Sequence, residues 1–201
     1  MKLKLLPILS LLFLGVSLPL LVWGFWPPHR ETRVVPLVPS NLGLTLSEPR
    51  DIRLEFSPSI RAGESEIVRL WLEPGADYVV DNLYNQYTVI VEARLELPFA
   101  DVRPADIIST PLVVGGSASF YWEVKPRQPG TVRGTAWLYL RFLPKGGGEG
   151  TRVPVSAQQL EISSGSVLKW TGAQARVLGV VGSLVGLLLG FPFARARVRR
   201  T

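Results

Sequence analysis

Cysteine is absent from this 201-residue chain, and histidine and methionine occur once each. The first absence excludes disulfides, thiolate metal sites, iron–sulfur ligation and cysteine nucleophiles. With one histidine there is no zinc site built on several imidazoles. That residue, His29, follows Pro27 and Pro28 in what reads as a connecting segment, a poor place for the base of a Ser-His-Asp triad. Without cross-links a folded domain must be held by its core alone, which is feasible at about 130 residues.

Charge is missing from two long stretches. Residues 5–26 carry none, and as a helix they are about 33 Å long, enough to cross a bilayer core. Lys2 and Lys4 precede them, and Trp23, Phe25 and Trp26 close them as an aromatic belt would. A cleaved signal peptide is the rival reading. The run is long for one, however, and the nearest small-residue site, Gly15-Val16-Ser17, lies deep inside it. Residues 177–194 are the second uncharged run, about 27 Å as a helix. Trp170 is placed to anchor its start, and Arg195, Arg197, Arg199 and Arg200 follow it.

Acidic residues are missing from the ends. All 16 lie between Glu31 and Glu161, and that stretch counted from Arg30 also holds 14 of the 22 cations. The excess basicity therefore flanks the hydrophobic ends, so nucleic-acid binding is not expected and the arginines read as a topology signal. The positive-inside rule puts both termini in the cytoplasm and the middle outside a bacterial cytoplasmic membrane, a two-pass arrangement. Abundant arginine and proline are compatible with a GC-rich or heat-adapted bacterium.

The second run carries Gly182, Gly186 and Gly190 in a GxxxGxxxG row, with Gly179 and Ser183 adjoining. Residues four apart share a helix face, so these positions form a shallow groove for a second helix, either residues 5–26 or another protein.

Between the runs the pattern is period two, the mark of half-buried strands. Tyr87, Val89, Val91, Ala93, Leu95 and Leu97 share one face against Thr88, Glu92, Arg94 and Glu96. Val132, Ala136, Leu138, Leu140 and Phe142 form another; so do Phe120, Trp122 and Val124, then Val68, Leu70 and Leu72, then Ile52, Leu54 and Phe56. Leu42, Leu44 and Leu46 suggest an opening strand. Val153, Val155 and Ala157 suggest the last, with a bulge near Gln158 to bring Leu160 and Ile162 onto the same face. Turn residues separate these runs, and no helical period stands between the anchors. About seven strands of this kind predict an antiparallel two-sheet sandwich over residues 41–163, with a barrel as the alternative. Residues 29–40 and 164–176 read as linkers and residues 195–201 as a basic tail.

The segment Phe120-Tyr121-Trp122-Glu123-Val124-Lys125-Pro126, then Pro129-Gly130, then Ala136-Trp137-Leu138-Tyr139-Leu140, resembles the later strands of bacterial immunoglobulin-like modules. The likeness spans about 25 residues. It implies an immunoglobulin-like sandwich and no activity.

Groups for chemistry are sparse. Asp77, Asp81 and Asn82 have oxygen ligands at a spacing that suits Ca²⁺, but the segment lacks the glycine and closing glutamate of an EF-hand loop. Asp101 and Asp106 read as turn residues, and Lys145-Gly146-Gly147-Gly148 is no phosphate-binding loop. No catalytic residue, metal or cofactor is expected. Trp71, Tyr121, Trp137 and Tyr139 fall on the polar parity of their strands, and if those strands are neighbours they form one exposed aromatic patch suited to a partner. The resulting expectation is a non-enzymatic, membrane-anchored interaction module: an accessory or scaffolding subunit that meets lipid and other membrane subunits or copies of itself. A ligand-binding or sensory ectodomain is the alternative, and a carboxylate-based hydrolase comes last.

Overall fold

A computed structural model describes residues 5–37, 46, 48–75, 83–166 and 170–198, with backbone alone for residue 5 and residues 191–198. Lys2, Lys4, Arg199, Arg200, Leu42, Leu44, Asp77, Asp81 and Asn82 lie outside the described residues.

The chain forms two compact units. The first holds two long helices, α1 (Leu5–Phe25) and α3 (Gly172–Val198), together with residues 61–64. Pro19 sits inside α1 without ending it, as apolar membrane-type helices allow. The last backbone bond of that turn runs from Trp26 N to Val22 O at 2.9 Å, and Pro27 and Pro28 permit no continuation. α3 begins at Gly172, inside the expected 164–176 linker. Its start is set by a reciprocal cap: Gln174 N donates to Thr171 Oγ1 at 3.3 Å, and Thr171 N donates to Gln174 Oε1 at 3.0 Å. The helical backbone runs on through Arg195 and Arg197, so the basic segment expected as a tail is partly helix.

Among its described residues the second unit is built of strands and one short helix. Its elements are β1 (Glu31–Pro36), β2 (Arg50–Phe56), β3 (Ser59–Arg61), β4 (Glu66–Pro74), α2 (Leu83–Gln86), β5 (Tyr87–Glu96), β6 (Ala100–Arg103), β7 (Ile108–Leu112), β8 (Ala118–Pro126), β9 (Gly130–Pro144) and β10 (Thr151–Gly165). One sheet has the order β1-β2-β4-β8-β6 and the other β3-β10-β9-β5-β7. From β2 to β9 the chain changes sheet after every strand. Every ladder described is antiparallel, and residues from both sheets share one core. The result is a sandwich.

The period-two reading survives in detail. β8 buries Ala118, Phe120, Trp122, Val124 and Pro126 and exposes Ser119, Tyr121, Glu123 and Lys125. Four features differ from expectation. The first is β1, which lies in the segment read as a spacer and pairs along its whole length with β2. The second is the bulge in β10, which falls between Pro154 and Ser156 rather than near Gln158, so Ala157 turns outward. The third is Glu92, on the polar face of β5 yet 6% exposed. Arg152 at 2.7 Å and Arg141 at 3.5 Å close over its carboxylate. The fourth is strand number: β3, β6 and β7 are too short for alternation to register.

Candidate functional site

In the helix unit, α1 and α3 are antiparallel neighbours along a seam of small residues. A Cβ added at Gly190 would lie 2.8 Å from Ser10 Oγ, one at Gly186 2.8 Å from Leu14 Cγ, and one at Gly182 2.8 Å from Ser17 Cβ. At Gly179 it would meet backbone, 2.9 Å from Leu21 N. At Gly24, on α1, it would sit 2.8 Å from Arg176 Cγ. On α1 the partners Ser10, Leu14, Ser17, Leu21 and Gly24 are spaced alternately by four and three, as are Gly179, Gly182 and Gly186 on α3. That is the repeat of a left-handed helix pair. Hydrogen bonds stitch it. Ser10 Oγ donates to Gly186 O at 2.7 Å, while Ser183 Oγ donates to Ser17 Oγ at 3.1 Å, which in turn donates to Phe13 O at 2.6 Å. The glycine row is thus occupied by α1 of the same chain, and another protein does not have it free.

Where the seam ends, residues 61–64 are clasped between the two helices. Arg61 donates to the Trp26 carbonyl, the exposed C-terminal end of α1, and its guanidinium lies 5.4 Å from the Trp23 ring centroid. Glu64 pairs with Arg61 at 3.3 Å and, more closely, with Arg176 on the second turn of α3. Arg176 also lies 5.8 Å from the Phe25 centroid. Neither Trp170, half-buried in an isolated bridge, nor the exposed Trp26 enters this clasp through its ring. The pattern along the chain does not announce Glu64 or Arg61, because the clasp joins segments far apart in sequence.

In the sandwich the four aromatics do not form one patch. Trp71 and Tyr121, on the paired strands β4 and β8, meet edge to face at 6.4 Å. Trp137 and Tyr139, both on β9 in the other sheet, stack at 6.3 Å. Outward faces of opposite sheets point apart, so the expectation of a single surface is corrected to two pairs. The second pair is tied down further: Trp137 Nε1 donates to Glu96 Oε2 at 3.1 Å, and Arg152 lies 3.9 Å from the Tyr139 centroid.

A polar cluster lies inside the sandwich, at the end away from Glu31 and Ser164, where the chain enters and leaves this unit. Glu48, Arg50 and Tyr84 are all buried. Glu48 Oε1 accepts from Arg50 Nε at 2.8 Å, from Arg50 Nη2 and from the Tyr84 hydroxyl, and Arg50 Nη1 donates to Gly116 O at 2.7 Å. Burial first, and the bond to Glu48 second, hold the Tyr84 hydroxyl well above the ordinary tyrosine pKa, against the opposing pull of Arg50. Glu48 Oε2 has no partner among the described residues. One cluster therefore ties together the segment before β2, β2 itself, α2 and the β7–β8 turn.

The remaining sequence candidates stay apart. His29 is exposed. Asp101 pairs with Arg127 at 2.8 Å rather than with Asp106. Among the described residues no three His, Asp or Glu come together as metal ligands.

No family model matches the chain, and no curated protein matches its sequence. Similar solved structures include the complex of zinc 2-glycoprotein with prolactin-inducible protein from human seminal plasma, at 12% identity over 57% of this chain and 93% of that one, TM-score 0.36. A PapD-like domain of human CEP192 matches at 18% identity over 64% and 96%, TM-score 0.34. AggA, the major subunit of an Escherichia coli aggregative adherence fimbria, matches at 9% identity over 68% and 96%, TM-score 0.31. At such scores the sandwich assignment rests on the topology of the chain itself.

Proposed function

We propose that this chain is a two-pass membrane protein whose helix pair anchors an immunoglobulin-like interaction module on the outer face of the membrane, where it serves as a non-enzymatic accessory or scaffolding subunit. One observation carries the reading: a close-packed helix pair whose exposed side chains over residues 6–25 and 177–190 are apolar. Leu11 at 72% exposure and Leu188 at 74% are the extremes of a surface that includes Ile8, Val16, Val177 and Leu187. The spans Leu6–Phe25 and Gly172–Gly190 bury only 17% and 22% of their most apolar windows within the chain. In water so large an apolar surface is a liability; in a bilayer it is solvated. Interhelical serine bonds and glycine contacts suit an environment where apolar burial alone does not hold helices together. Lys2 and Lys4 before α1, with the arginines that close α3, favour cytoplasmic termini.

Because the chain has no cysteine, single cysteines report topology without a background. Ser117→Cys in the β7–β8 turn should react with a membrane-impermeant maleimide in intact cells, and Thr201→Cys only after permeabilisation. Labelling of both from one side, or recovery of the intact chain as a soluble protein without detergent, overturns the reading.

A further inference from the structure

The four outermost strands of the sandwich offer different free sides. β1 ends in Pro36, and its Arg33 reaches across to the Gln159 carbonyl at 3.0 Å. β3 has three residues. β7 contains Pro111, which has no N–H to donate. β6 (Ala100–Arg103) has no proline, pairs with β8 on one side only and is the edge of its sheet. Next to it, β7 stops at Ile108 opposite Ala93, while β5 continues to Glu96 along β9. Residues 94–96 therefore also present a backbone side that is unpaired among the described residues.

An open groove of about 620 Å³ lies where these two edges meet, lined by Arg94, Glu96, Asp101, Arg103 and Arg127 among others. Arg94 pairs with Glu96 at 3.2 Å and Arg127 with Asp101 at 2.8 Å. Arg103 is exposed, and among the described residues no carboxylate lies in ion-pair range of it, Glu123 standing opposite on β8 but farther off; the groove lining itself therefore keeps a net positive charge. Beside it Phe99 is 74% exposed with φ 63°, a left-handed conformation that is strained for a non-glycine residue. Two backbone bonds hold that turn, Ala100 N to Leu97 O at 3.4 Å and Arg127 N to Phe99 O at 3.0 Å.

We propose that this groove receives an extended polypeptide segment of a partner protein, added as a strand along β6, with a carboxylate on Arg103 and an apolar side chain against Phe99. An unpaired strand side recognises another backbone through alternating N–H and C=O groups. A guanidinium fork suits a carboxylate, and a large apolar ring held outward at the same turn adds contact area. The inference rests on reading the sandwich as an interaction module. It does not depend on where the helices reside.

The test uses the full chain in detergent micelles and a fluorescein-labelled peptide, Thr-Val-Thr-Glu-Thr-Val-Thr amide, followed by fluorescence anisotropy. Saturable binding is expected. Glutamine for the peptide glutamate should weaken it about tenfold, equivalent to about 1.4 kcal/mol. N-methylation of alternate peptide nitrogens should abolish it. Arg103→Glu, with its far-UV circular dichroism unchanged, should lose the glutamate peptide and gain one with lysine there. Arg133→Glu, on the other sheet, should bind as the parent does. Absence of saturation, equal binding of the glutamate and glutamine peptides, or indifference to Arg103→Glu overturns the proposal. Native subunits that still co-purify with Arg103→Glu would leave the scaffolding reading intact while removing this groove as its basis.

Discussion

Ser10 donates its hydroxyl proton to the carbonyl of Gly186 at 2.7 Å, across 176 positions of sequence. A Cβ at Gly186 would lie 2.8 Å from Leu14 Cγ and 3.3 Å from Leu14 N, so the missing side chain lets the two backbones run this close. The seam therefore makes a graded prediction about glycine replacement. Gly179→Ala puts a methyl 2.9 Å from a backbone nitrogen, which cannot rotate away, and should destabilise the helix pair by about 1–3 kcal/mol. Gly15→Ala meets nothing within 4 Å and should stabilise by up to about 1 kcal/mol through helix propensity. Unfolding in detergent titrated with dodecyl sulfate measures both; equal effects would contradict the seam. Ser10→Ala should cost about 0.6 kcal/mol, and no more than about 1.7 kcal/mol.

The buried Glu48–Arg50 pair is expected to be costly to break and cheap to replace. Arg50→Met leaves a buried carboxylate with one hydroxyl donor and should cost about 3–5 kcal/mol. Adding Glu48→Leu removes the stranded charge and should recover most of that loss. Urea midpoints of the single and double variants decide it, and a double variant as unstable as the single would refute the account.

Tyr84 makes stability fall in strong alkali. Its folded pKa is raised from 10.0, so above pH 10 the unfolded chain releases a proton that the folded chain retains. The contribution is complete below pH 10 and declines as pH rises beyond it, by at most about 1.4 kcal/mol per unit. Tyr84→Phe should flatten that decline in urea titrations at pH 9 and 11, while lowering stability at neutral pH by about 1–3 kcal/mol through the donor lost to Glu48.

Trp122 is fully buried, and its indole Nε1 has no partner among the described residues. Removing the whole side chain, in Trp122→Ala, should cost about 3–5 kcal/mol. Trp122→Phe also removes the unsatisfied N–H, so it should cost less than about 1.5 kcal/mol, read from the thermal midpoint.

The two outward aromatic pairs should behave independently. Losses from Trp71→Ala and Trp137→Ala should add to within about 0.5 kcal/mol, whereas Trp71→Ala and Tyr121→Ala should show coupling of about 0.5–1.5 kcal/mol. Coupling between Trp71 and Trp137 in the double-mutant cycle would restore a single shared patch.

Much of the architecture is written in local hydropathy. Two uncharged runs place the long helices, and period two sorts Phe120, Trp122 and Val124 inward from Tyr121 and Glu123, because burial at a given spacing is a property of neighbouring residues. The small residues of α3 are equally visible, since one helix face repeats every three to four positions. What hydropathy does not carry is who meets whom. Trp71 beside Tyr121 but across the sandwich from Trp137, Arg50 between Glu48 and Gly116, Glu64 against Arg176, and Arg103 with no carboxylate in ion-pair range among the described residues each depend on segments brought together by folding. Such meetings leave no periodic trace, because they are decided by strand order and by the packing of distant side chains.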